Sequence, residues 1–140
     1  MSRPGRRLAF DYGDARIGVA VCDPDGILAT PLEFLTTKNP ALKTLILELF
    51  REYEPTKVYV GLPLNLSGDH SESSVKAIAF SEFLRPLASC PVELIDERLT
   101  TSTASAALAQ AGLSAKDQRK KIDSQSAVVI LESGLAKDRE

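Results

Sequence analysis

Leu8-Ala9-Phe10-Asp11-Tyr12, followed after Gly13-Asp14-Ala15-Arg16 by Ile17-Gly18-Val19-Ala20-Val21-Cys22, decides how this chain is read. Two short β-type runs with a brief Gly- and Asp-containing connection read as an antiparallel hairpin. Side chains alternate along a strand, so Leu8, Phe10 and Tyr12 share one face while Ala9, Asp11 and Gly13 share the other. Asp11 therefore ends an otherwise apolar row. The turn Asp23-Pro24-Asp25-Gly26 leads into a third extended piece from about 27 to 35, which completes a three-strand meander.

Beyond it the period changes. Leu42, Leu45, Ile46, Leu49 and Phe50 recur at three and four residues, as one face of a helix requires, and Pro55 ends that helix. Val58-Tyr59-Val60 reads as a fourth strand running into a loop over residues 61–68 that is too rich in Gly and Pro to continue it. Val75, Ile78, Ala79, Glu82 and Phe83 give a second helical stripe, stopped near Pro86. Pro91-Val92-Glu93-Leu94-Ile95 is a fifth strand, residues 101–110 form a helix closed by Gly112, and a last helix runs from about 122 to 136. The expectation is an α/β fold: a five-stranded mixed sheet, antiparallel in strands one to three and parallel in four and five, flanked by helices. A single domain over residues 1–140 is expected, with 1–6 as a flexible N-terminal tail.

Composition sets the class. With 44% hydrophobic and 26% charged residues the chain is that of an ordinary globular protein, neither disordered nor fibrous. A net charge of −2 argues against a dedicated DNA coat protein but leaves room for a local basic patch. Cys22 and Cys90 lack metal-type spacing and read as buried thiols in a reducing compartment. The apolar stretch after the basic N-terminus meets Asp11 too soon for a signal peptide, and no run is long enough to span a membrane, so a cytoplasmic protein without membrane partners is expected.

Function is read from three acids. If strands one, four and five are parallel, the chain leaves each at one edge of the sheet, where open α/β sheets bind ligands. That edge collects Asp11, the 61–68 loop and Glu97, while Asp123 shares a helical stripe with Ala127, Ile130, Leu131 and Gly134. Each acid alone has a plain structural explanation, in a turn, a surface pair or a helix start. Together they repel one another and shift toward protonation unless a cation holds them. Hard oxygen donors select Mg²⁺ or Mn²⁺, whose chemistry is phosphodiester hydrolysis. Asp11, Glu97 and Asp123 are thus the candidate metal-binding and catalytic residues. Arg16, Arg98, Lys120 and Lys121 are candidate phosphate contacts beside them, joined by Asn65 in the loop, although each could equally be a surface or bracing residue.

Four blocks carry a family resemblance: Phe10-Asp11-Tyr12-Gly13 with Arg16-Ile17-Gly18-Val19-Ala20-Val21; Gly61-Leu62-Pro63-Leu64-Asn65; Asp96-Glu97-Arg98-Leu99-Thr100-Thr101; and Ile122-Asp123-Ser124-Gln125-Ser126-Ala127 with Ile130-Leu131-Glu132. In order and spacing they resemble the YqgF family, described as Holliday junction resolvases and as nucleases maturing the 5′ end of precursor 16S rRNA. The resemblance implies an RNase H-like fold, Asp11, Glu97 and Asp123 in the family's acidic positions, and a nucleic-acid partner. That partner is a ribosomal small-subunit precursor or a branched DNA, bound by a monomer or homodimer. Wider resolvase relatives tend to carry an acid at the end of the fourth strand, where this chain has Gly61, and a second acid in the last helix, where it has Ser126. This departure argues against strong two-metal occupancy. Two other readings stand beside it. One is an actin-like ATPase, for which the chain is a domain short. The other is a non-catalytic RNA-binding ribosome-assembly factor.

Overall fold

The computed structural model describes residues 5–64, 71–97 and 124–139. Strands β1 (Arg7–Asp11), β2 (Arg16–Cys22) and β3 (Ala29–Thr36) form the expected meander, followed by helix α1 (Leu42–Tyr53) and strand β4 (Lys57–Leu62). Helix α2 (Glu72–Leu84), strand β5 (Val92–Asp96) and helix α3 (Gln125–Asp138) complete the described elements. The sheet order is β3-β2-β1-β4-β5. β1 runs antiparallel to β2 and parallel to β4, and β4 runs parallel to β5, as the sequence pattern requires.

Both faces of the central strands are covered, which is why β1 and β4 are apolar nearly throughout. Leu8, Phe10, Val58 and Val60 face Ile46 of α1 and Phe80 and Leu84 of α2. Ala9, Tyr59 and Ile95 on the opposite face meet Ala127, Ile130 and Leu131 of α3. Phe10 is the pivot of the first layer, meeting Phe50 and Phe80 edge-on at ring-centroid distances of 6.3 and 5.7 Å. In the second layer Gly134 lets α3 approach until a Cβ there would lie 2.7 Å from the Tyr59 ring.

Local chemistry sets the element ends. α1 stops where Glu54, in the left-handed region at φ 45°, donates its N–H to the Phe50 carbonyl immediately before Pro55. α2 starts with a reciprocal pair in which Ser71 and Ser74 each accept from the other's backbone N–H. The second stripe read from the sequence is corrected here. α2 buries Ser74, Ala77, Phe80, Ser81 and Leu84, leaving Val75 and Phe83 exposed. The two serines disguise the buried face, and their hydroxyls are satisfied within the helix, Ser74 donating to the Ser71 carbonyl and Ser81 to that of Ile78. Their burial therefore costs little.

At the pole where β1 and β4 begin, Asp138 accepts from Arg7 at 2.6 Å, Tyr59 at 2.5 Å and Lys57 at 2.9 Å, tying the end of α3 to the sheet. Gly5 and Arg6, within the stretch expected as a tail, bond through their backbones to Pro24 and Thr56. The helix expected over 101–110 lies outside the described residues. Among the described residues no helix is long and apolar enough to cross a membrane.

Candidate metal-binding nuclease site

Strand register brings the site together. Phe10 pairs with Val60 and Gly61 pairs with Ile95, so Asp11, Gly61 and Ile95 form a row across the ends of β1, β4 and β5. Glu97 follows Ile95 by two residues and shares its face. Gly61 makes room for the Glu97 head group. A Cβ built on it would lie 3.0 Å from the Glu97 carboxyl carbon and closer still to Ile130 Cδ1, so the Glu97 head group rests over bare backbone. An acidic side chain at position 61 would compete for the same space. That is a physical reason for a glycine, rather than an acid, at this position.

The electrostatics follow from this enclosure. Burial raises the Asp11 carboxyl above its ordinary value, and the Ser126 hydroxyl, donating to it from the first turn of α3, holds it partly back. Glu97 is raised to about 7, by burial first and then by the charges of Asp11 and Asp96. The Asp11 charge is one of the causes that raise Glu97, which ties the proton on Glu97 to the state of its neighbour. Ser126, which stands where the sequence comparison expects an acid, is here a partner of one.

The beginning of α3 is fixed beside the same rim. The buried Ser124 Oγ accepts from the Val19 N–H at 3.0 Å, next to Gly18, the residue paired with Asp11. The β2–β3 register shifts between Ile17 and Val19, at this same point. Ser124 leaves its own helix without a side-chain cap to make that contact.

Of the predicted site residues, the structure brings Asp11 and Glu97 together. It sets Arg16, the first residue of antiparallel β2, at the same end of the sheet, with its guanidinium 5.0 Å from the Phe34 ring centroid. Asp123, Asn65, Arg98, Lys120 and Lys121 lie outside the described residues. Among the described residues no group of three or more His, Cys, Asp or Glu side chains is arranged to hold a metal. Asp96 was missed as a contributor because the alternation of β5 turns it to the other face, yet its charge reaches Glu97.

A profile of the RuvX family, described as Holliday junction resolvase, matches residues 5–137. A relative from Streptomyces avermitilis is 50% identical over 139 residues, covering 98% of this chain and 89% of its own length. One from Streptomyces coelicolor is 48% identical, covering 98% and 83%, and one from Mycobacterium leprae is 49% identical over 134 residues, covering 94% and 72%. All three carry the name "Putative pre-16S rRNA nuclease". Among solved structures, T. thermophilus RuvC in complex with Holliday junction substrate aligns with TM-score 0.60 at 17% identity over 96% of each chain. At that identity the likeness is one of fold, the RNase H-like arrangement that the resemblance implied. The profile match and the length and identity of the relatives lead to one assignment: this chain belongs to the RuvX family, the YqgF family of the sequence comparison.

Proposed function

We propose that this protein is a metal-dependent endonuclease that hydrolyses phosphodiester bonds of structured nucleic acid, and that it matures the 5′ end of precursor 16S rRNA in the cytoplasm. The observation that carries the reading is Glu97 lying over Gly61 within reach of the Asp11 charge, its carboxyl raised to about 7 by burial and by its neighbours' charges. Two desolvated carboxylates that repel each other weaken a fold unless something compensates them. The donors, carboxylate oxygens supported by a serine hydroxyl, are the hard ligands that fit Mg²⁺ or Mn²⁺.

Asp11 and Glu97 would hold such an ion, which would supply a more acidic water and a positive charge for the leaving oxygen. The chain's own groups do the rest. Ser126 favours the ionised form of Asp11. Asp123 is the third proposed carboxylate, and its support is its neighbour Ser124, anchored to Val19 beside the Asp11 pair. Arg16, Asn65, Arg98, Lys120 and Lys121 are proposed phosphate contacts, Arg16 being supported by its place at the rim and its stacking on Phe34. The preference for the ribosomal precursor over branched DNA rests on the names of the relatives. All 140 residues are taken as one domain.

The test is incubation of the purified protein with a 5′-extended 16S precursor and with a four-way DNA junction, each with Mg²⁺, Mn²⁺ or chelator. RNA cleavage that needs the metal and is lost in Asp11→Asn is the expected result. Preferential cutting of the junction would move the substrate to DNA. Binding without cleavage in both forms would make the protein an assembly factor.

A further inference from the structure

Across the sheet from the acids lies a cleft of about 290 Å³ whose walls include Tyr12, Thr37, Leu42, Lys76, Phe80 and Phe83. We propose that it is a stacking site for one unpaired nucleobase of the strand being cut. The inference rests on the nuclease reading above and adds a requirement to it: single-strandedness next to the cleavage point.

Three rings form the floor. Tyr12 and Phe80 lie 5.1 Å apart at 39°, and Phe80 and Phe83 lie 6.1 Å apart at 28°, so the set forms a shallow ladder of successively tilted rings. Its inner member is fixed, since Phe80 is only 5% exposed, while the outer member Phe83 keeps 38% of its surface in water. A large apolar ring left open while braced from beneath by a rigid neighbour is a platform for another flat group. The walls are polar and hydrogen-bonded. The Lys76 ammonium is held at 2.9 and 3.1 Å by the two Asp14 oxygens, and the Thr37 hydroxyl donates to the Gly13 carbonyl at 2.7 Å. Lys76 is shared between Asp14 and, at 3.7 Å, Glu72 on its own helix, and its methylene stem is left as an apolar wall.

Position makes the ligand a nucleobase and not an arbitrary apolar group. Tyr12 is the residue after Asp11, and the strand alternation sends the two side chains to opposite faces from backbone positions about 3.8 Å apart. Asp14 and Gly13, which fix Lys76 and Thr37, belong to the same connection. A nucleic-acid strand draped over this end of β1 meets the acids on one side and the ring ladder on the other. Aromatic platforms beside a backbone path are how proteins hold single strands, and a base enters only if it is free of a duplex.

The chain contains no tryptophan, so Phe83→Trp installs a sole indole reporter at the outer ring. The probe is an eight-nucleotide single strand titrated in chelator, intact or with an abasic site at each position in turn. Expected are quenching of the indole emission of that variant and a loss of affinity of about 5- to 150-fold at one abasic position. Phe83→Leu is expected to lose a similar factor, and Phe83→Tyr to retain binding. Abasic scanning with the unmodified protein keeps the test valid should a variant misfold. Equal affinity for all abasic probes overturns the proposal, as does self-association of the unmodified protein that is abolished by Phe83→Leu while base dependence is absent. Because nothing is cleaved in chelator, this result is independent of the metal-dependent cleavage test: stacking can fail while the nuclease stands, and the reverse.

Discussion

Replacing Glu97 by Gln should make the metal-free protein more stable above neutral pH and leave it unchanged in acid. Glu97 titrates near 7 in the folded chain, against an ordinary glutamate value of 4.5. Below the lower value both states hold the proton and the residue is indifferent to folding. Between the two, the folded state keeps a proton that the unfolded state has released, so stability falls as pH rises. Above about 7 the penalty is complete and constant. For a fully enclosed carboxyl that interval corresponds to about 3 kcal/mol. Glu97 is only partly enclosed, and solvent screening brings the figure to about 1–2 kcal/mol. Glutamine keeps the shape and removes the charge, so Glu97→Gln should recover that amount at pH 8, a rise in Tm of roughly 3–8 °C. Urea unfolding of both proteins in chelator at pH 4, 6 and 8 measures it. A gap that opens with pH is expected, while a gap of equal size at all three values would refute the electrostatic origin. Saturating Mn²⁺ should reverse the order at pH 8, because an ion at about one hundred times its Kd adds about 2.7 kcal/mol to the form that binds it.

Ser126→Ala removes the hydroxyl that favours ionised Asp11, so Mn²⁺ affinity should fall about 3- to 10-fold, and more as pH is lowered; calorimetry at two pH values that shows no change would count against that contact. Gly134→Ala gains about 1 kcal/mol of helix propensity but drives a methyl to within 2.8 Å of three Tyr59 ring atoms. Overpacking should win, giving a net loss of about 1–2 kcal/mol in urea melts, and a stabilised variant would show that α3 can shift. Tyr59→Phe deletes the phenol that donates to Asp138 and accepts from Arg7, both at 2.5 Å, and should cost about 1–2 kcal/mol without altering metal affinity. A change in metal affinity there would mean that the two poles of the sheet are coupled.

The sheet was legible because its strands obey local rules. Alternation in Leu8 to Tyr12, the Pro-Gly turn at 24–26 and the apolar run Val58 to Val60 each reveal an element without help from distant residues. Strand direction then put Asp11 and Glu97 at one rim. The buried face of α2 was not legible, since Ser74 and Ser81 look polar in sequence and become buriable only through bonds to their own helix. Nor was the Arg7–Tyr59–Asp138 cluster, whose partners lie 52 and 131 residues from Arg7 and share no periodicity. Gly61 shows its purpose only when the Glu97 carboxyl is seen lying over it. Ser126 was visible as a missing acid but not as the donor to Asp11. Both depend on approach across strands, which sequence spacing does not encode.

The proposed function depends on Asp11 and Glu97 sharing one divalent ion. Calorimetric titration of Mn²⁺ and Mg²⁺ into the unmodified protein, Asp11→Asn and Glu97→Gln at pH 8 measures this without any substrate. Saturable binding by the unmodified protein, weakened at least tenfold by either substitution, is expected. Binding that survives both substitutions unchanged would mean that these carboxylates hold no metal, and the nuclease reading would lose its foundation.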